Sequence, residues 1–210
     1  GNSLYVASGY SEGGVSVISI SDQRLEGTII SEDQVRGVGY SSDGIVTLTD
    51  KTLSKYDKDT FEKLLEVDVL SDSLVSSKSS LNIYGTSVVF GVGENGTQVH
   101  NISDLSLLDS IPQVDFTSNS SLYTQLQKKY TVTNGSYATD EYLFTASGGA
   151  GVHIYKYSTD VDDITLESTY TDIGFFNVAN GASVNSLSYS DGVFIIAAGN
   201  LGYYIVQSNL

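Results

Sequence analysis

Apolar positions along the chain come in short runs and strict alternations, not at the three-to-four spacing of an amphipathic helix. Val, Ile, Tyr and Thr fill these runs, and Gly, Asn, Asp and Ser end them. This pattern predicts many short β-strands and almost no helix.

The runs recur. One strand type ends in small residues, at positions 4–9, 45–49, 88–93, 142–148 and 193–199. A tight turn follows each, and a second strand opens at Gly14, Thr52, Gly96, Gly151 and Gly202. A third type precedes the first. Residues 35–41 align without gaps to 184–190, 132–137 keep the same Val-to-Tyr interval, and 81–85 are a looser copy. Asp43-Gly44 and Asp191-Gly192 are hairpin turn signals between the two types. A more polar strand comes last, at 24–30, 61–69, 105–111 and 164–171, carrying Arg24, Glu26, Glu62, Lys63, Glu66 and Glu167. Charge of this kind suits an outer edge facing water, where it discourages edge-to-edge pairing.

Four antiparallel strands repeating at roughly 40–50 residues are the sequence form of a β-propeller. The expected fold is therefore all-β, a β-propeller of about five four-stranded units at 1–34, 35–78, 79–130, 131–182 and 183–210. Counted from the inside, the first unit begins at strand two and the last stops at strand three. That makes 3 + 4 + 4 + 4 + 3 = 18 strands. The two ends cannot merge into one blade, because both supply strands two and three. Two alternatives stay open: a five-unit propeller with incomplete end blades, or part of a larger propeller.

A family resemblance joins this pattern. Residues 195–199 (IIAAG) followed by 202–207 (GYYIVQ) resemble the LVIVD-type repeats of bacterial surface propellers, with Gln207 where that family usually has Asp. Residues 14–22 and 151–160 are also similar, and the likeness touches all five units. It implies a propeller that is secreted or held at a bacterial cell surface, and it carries no catalytic residues to transfer.

Composition narrows the function. The chain has no Cys, Met or Trp and a single Pro, Pro112. Without Cys there is no disulfide scaffold, zinc ribbon, iron–sulfur cluster or thiol nucleophile. Two His cannot build a three-His metal site. A net charge of −15 opposes nucleic acid as a partner. No apolar run approaches the ~20 residues of a membrane-spanning helix. No cofactor is expected. Acids cluster at Asp57-Lys58-Asp59 and Asp160-Val161-Asp162-Asp163, in turns between strands three and four. Calcium takes such carboxylates, but no Asp-x-Asp-x-Asp-Gly loop exists, so these read as solvated turns.

The leading functional reading is a non-catalytic binding module for a glycan or a protein. Its candidate residues lie in two long connections from an outer strand to the next inner strand. Residues 112–131 hold Phe116 and Tyr123, and residues 172–183 hold Phe175, Phe176 and Asn177. Exposed rings beside amides suit sugar or peptide surfaces, and the competing reading is that the rings plug the loop bases. A second set, Arg36, Asn134 and Asn185, begins the inner strands near the channel mouth. Arg36 there either anchors a carboxylate or offsets Glu32 and Asp33. The rival is a glycan-active hydrolase or lyase with paired acids in the channel. A sialidase-like site needs three arginines, and the chain has only Arg24 and Arg36. A third reading makes the chain a structural segment of a larger surface adhesin.

Overall fold

The computed structural model describes residues 2–9, 13–31, 33–69, 79–114, 131–157, 170–176 and 182–210. They form 18 strands in five antiparallel sheets. The first sheet is β1 (Ser3–Ser8), β2 (Gly14–Ser19) and β3 (Arg24–Ile30). The second is β4 (Gly37–Ser41), β5 (Gly44–Leu48), β6 (Thr52–Tyr56) and β7 (Lys63–Asp68). The third is β8 (Leu81–Tyr84), β9 (Ser87–Gly91), β10 (Thr97–Asn101) and β11 (Leu107–Ile111). The fourth is β12 (Gly135–Ala138), β13 (Tyr142–Ala146), β14 (Val152–Tyr157) and β15 (Tyr170–Phe176). The fifth is β16 (Ser186–Ser190), β17 (Val193–Ala197) and β18 (Tyr203–Gln207). Strand order in each sheet follows the chain, so every connection within a sheet is a hairpin. The strand count agrees with the repeat arithmetic, but several strand limits move by one or two residues and one moves further. The outer strand of the fourth sheet runs to Phe176 instead of ending at residue 171, because residues 174–176 stay extended and pair with β14.

Successive sheets touch through their inner strands. β1 meets β4, β4 meets β8, β8 meets β12, and β12 meets β16. No contact of comparable extent joins the fifth sheet to the first among the described residues.

The period-two alternation of a strand decides which sheet each side chain meets. In β5, Ile45 turns back to the first sheet, while Val46 and Leu48 turn forward to the third. In β9, Val88 and Phe90 turn back and Val89 turns forward. In β13, Leu143 turns back, and Phe144 and Ala146 turn forward. In β17, Phe194 and Ile196 turn back. All of these are buried. The contact between the fourth and fifth sheets is aromatic: Phe144 meets Phe194 edge-on at 4.8 Å, and Tyr189 lies within 4.8 Å of both rings.

One turn repeats at the seams. Val92 N–H donates to the Gly96 carbonyl and Gly96 N–H to that of Gly93; Ser147, Gly151 and Gly148, and Ala198, Gly202 and Gly199, do the same. The paired glycines hold φ of 63° and 84°, 55° and 89°, and 60° and 85°. A Cβ is strained there, which explains Gly at these recurring positions. Gly93 and Gly148 also exchange backbone hydrogen bonds with Thr133 and Val184 of the following sheet, at 2.9–3.2 Å. Each sheet with an outer strand has a register irregularity between strands three and four, at Val17/Ile18, Lys55/Tyr56, Val99/His100 and Ile154/Tyr155. A bulge there sharpens the local twist.

Both His are buried in strand three. His100 stacks on Phe90 at 5.3 Å, and its Nδ1–H donates to the Leu105 carbonyl at 2.8 Å. Burial holds its pKa below the ordinary 6.5, so the ring is neutral at pH 7. The unfolded chain therefore takes up a proton first as pH falls. Stability should drop as pH falls from about 6.5 toward the folded-state value, and His100→Gln should flatten that part of a urea-midpoint-versus-pH curve. Phe144→Ala should remove about 3–5 kcal/mol of stability in urea unfolding, as expected for an emptied aromatic core site.

Candidate functional site

The structure divides the residues singled out from the sequence. Phe116, Tyr123 and Asn177 lie outside the described residues. Phe175 and Phe176 are not in a loop. They belong to β15, opposite His153 and Val152 of β14.

Arg36, Asn134 and Asn185 do occupy one equivalent position, immediately before an inner strand. Their backbone N–H groups donate to Leu48, Ala146 and Ala197 at 2.7, 2.7 and 2.9 Å, at the end of strand two. Their side chains differ. Asn134 is buried, and its Nδ2 donates to the Val184 carbonyl at 2.9 Å, tying the fourth sheet to the fifth. Asn185 Oδ1 accepts from Ser183 Oγ at 3.2 Å. Arg36 is half-buried. Asp33 takes Lys51 as its ion-pair partner.

The acidic turn at Asp57–Asp59 organises itself. Asp57 Oδ1 accepts the Asp59 and Thr60 N–H groups at 2.9 and 2.7 Å, and these bonds hold its carboxyl below the usual range. Lys58 pairs with Asp59 at 2.8 Å. Among the described residues no group of three His, Asp or Glu side chains is placed to hold a metal.

The concave surfaces lie at the opposite end of the sheets from Arg36, Asn134 and Asn185. They open where the turns from strand one to two, and from three to four, come together. One cleft, about 610 Å³, separates the first two sheets. Its aromatic wall is Tyr5 of β1, Tyr40 of β4 and Phe61 from the β6–β7 turn, with Tyr5 and Tyr40 stacked at 5.2 Å and 20°. Gly27 makes room for this wall, since a Cβ there would come within 2.1 Å of the Phe61 ring. Arg24, Glu26, Lys58 and Asp59 rim it. Ser3 Oγ donates to Glu26 Oε2 at 2.9 Å. Burial, then the neighbouring Tyr40 and Glu26, push the Tyr5 phenol up, so it stays a neutral donor. A second, smaller cleft lies between the third and fourth sheets, lined by Tyr84, Ser87, Asp109, Thr139, Asp140 and Tyr157. Its Tyr84 phenol is pushed up by hydrogen bonding to Asp140.

The first cleft offers ring faces beside donors and acceptors of both signs. Its Ser3–Glu26 pair has no imidazole to relay a proton. The arrangement sets aromatic faces beside charged and hydroxyl groups at one opening. The sequence does not mark this cleft, because its residues come from two units, from strands β1 to β4 and the β6–β7 turn. The one visible signal is the Tyr that ends the inner strands, Tyr40, Tyr84 and Tyr189.

No family model matches the chain, and no curated protein matches it. Solved structures do. The Pan2 WD40 domain of Neurospora crassa is similar at a TM-score of 0.65 and 12% identity, over 100% of this chain and 60% of that one. BamB from Moraxella catarrhalis matches at 0.63 and 12%, over 99% and 55%. The computationally designed Ika8 protein matches at 0.62 and 15%, over 97% and 55%. The likeness is one of fold, to β-propellers of the WD40 and BamB kind. The chain spans a little over half the length of each of these structures.

Asn134→Ala should lower stability by about 1–2 kcal/mol through the lost inter-sheet hydrogen bond. The loss should appear as a lower urea midpoint, because the Asn134 side chain lies in the seam between the fourth and fifth sheets.

Proposed function

We propose that the chain is a five-sheet arc of a β-propeller of the LVIVD-repeat kind, secreted or displayed on a bacterial surface. In this reading it is a non-catalytic binding module, and a glycan docks in the cleft between the first two sheets. The observation that carries the ligand class is the stacked Tyr5–Tyr40 pair with Phe61, rimmed by Arg24, Glu26, Lys58 and Asp59. A sugar ring presents C–H faces that pack on an aromatic ring and hydroxyls that need donors and acceptors at its rim. The inner strands support a binding role over hydrolysis. β4, β8, β12 and β16 carry Gly, Ser, Asn, Tyr, Ala and aliphatic residues. They offer no carboxylate pair of the kind glycoside hydrolysis uses. The surface location rests on the repeat resemblance.

Glycan-array screening followed by calorimetry tests the assignment. Tyr40→Ala should weaken binding at least tenfold, about 1.4 kcal/mol. The Phe175→Ala/Phe176→Ala double variant should bind as the native chain does. The reverse result would move the site to the loop-end aromatics, and a protein-only binding profile would replace the glycan with a protein ligand.

A further inference from the structure

The four seams between successive sheets share one layout near the turns from strand one to two. A strand-two residue and its strand-three partner face the next sheet: Tyr5 with Val17, Val46 with Lys55, Val89 with Val99, and Phe144 with Ile154. One inner-strand residue of the next sheet stands against each pair: Tyr40, Ile83, Ala138 and Tyr189.

Large side chains take this level in three of the seams. Tyr5 stacks on Tyr40 in the first, and Phe144 meets Tyr189 in the fourth. In the second, Lys55 crosses from the second sheet toward the third. It is only 7% exposed, and its Nζ donates to the Ser103 carbonyl in the β10–β11 turn at 3.1 Å. In the third seam all three positions are small: Val89, Val99 and Ala138, buried in one cluster. They form the apolar floor of the second cleft, about 270 Å³.

The walls of this cleft are acidic and aromatic. Asp109 of β11 and Asp140 of the β12–β13 turn line it, with Tyr84 and Tyr157, and among the described residues that line it none is Lys or Arg. Asp109 Oδ1 accepts the Ser110 N–H at 2.7 Å, and Asp140 accepts the Tyr84 phenol. An ionised carboxylate accepts about four hydrogen bonds, so both retain acceptor capacity. The cleft falls below the ~300–1,000 Å³ of a drug-sized site, which suits one slender chain. An apolar floor under two carboxylates calls for an aliphatic stem with a cationic head. Lys55 shows that such a chain fits this level of the fold with its stem buried between two sheets.

We propose that the cleft between the third and fourth sheets receives a primary alkylammonium chain, its stem on Val89, Val99 and Ala138 and its ammonium between Asp109 and Asp140. A lysine side chain of a partner and a free aliphatic amine share this chemistry. The site lies between two internal sheets and is separate from the glycan cleft, so failure of either reading leaves the other standing.

Amide NMR titration of the native chain tests this. Pentylamine and Nα-acetyl-lysine amide should each saturate one site, shifting Val89, Val99 and Ala138. Pentanol and Nα-acetyl-norleucine amide, which lack the charge, should bind at least about tenfold more weakly. The tighter of the two amines identifies the source, a partner lysine or a free amine. Added salt should weaken both, because the attraction is between charges near the surface. The Asp109→Asn/Asp140→Asn double variant should lose about tenfold or more in affinity for both amines. Val99→Lys places in this seam the lysine that the second seam already holds. It should abolish binding of both amines with an unchanged far-ultraviolet spectrum, and if it unfolds, the double variant decides. Tyr40→Ala, in the first cleft, should bind both amines as the native chain does. Equal binding of pentanol would overturn the cationic head, and undiminished affinity in the double variant would overturn the site. Failure of both amines to saturate would overturn the proposal outright.

Discussion

Everything in this fold depends on face-to-face contact between neighbouring sheets. A three- or four-stranded sheet with apolar residues on both faces is not stable alone in water. Each sheet here is covered on both sides only where it has two neighbours. Ile45 and Val46 are adjacent in sequence yet sit in different cores, one shared with the first sheet and one with the third. The period of the strand therefore commits every strand-two residue to one of two partners. The same rule makes the second, third and fourth sheets the most buried, and leaves the first and fifth half-covered.

Backbone geometry holds those faces in register. The glycine pairs between strands two and three reverse the chain in a conformation that closes on itself, and at Gly93 and Gly148 they also reach the next sheet. Buried side-chain bonds reinforce the seams. Thr97 and Ser136 hydroxyls meet at 2.7 Å across the third and fourth sheets, and Asn134 reaches Val184 across the fourth and fifth. These polar contacts are directional where apolar packing is not, so they resist sliding of one sheet over another. Core and seam thus divide the work: dispersion and hydrophobic burial hold the sheets together, and hydrogen bonds fix their alignment.

The candidate binding surface is a by-product of that stacking. Sheets that pack closely through their first two strands diverge toward the outer strand, and the turns at their ends frame the opening. The first cleft gains its character from residues the core does not need. Tyr40 is half exposed at the end of β4, and Phe61, at φ 61°, crosses toward Gly27. Charges on the turns and outer strands, placed where they blunt sheet edges, also rim this opening. One set of residues therefore lies both on sheet edges and around this opening.

Much of the fold is legible in the chain itself. Alternation and turn residues are local signals, so the strands, their hairpin order, the count of 18 and the incomplete end sheets all follow from the order of residues alone. The limits of β3 at Arg24 and Ile30 are legible too, because a turn precedes it and the apolar run stops there. The end of β15 is not, because Gly174-Phe175-Phe176 carries no local mark separating a strand end from a loop. The alignment of Arg36, Asn134 and Asn185 is visible in sequence, but the burial of Asn134 is not, since its partner lies 50 residues away. Only the tertiary structure brings Tyr5, Tyr40 and Phe61 to one wall, and only it leaves particular apolar faces uncovered. Local patterning decides the direction in which a side chain points. What it meets there is decided by the packing of segments far apart in the chain.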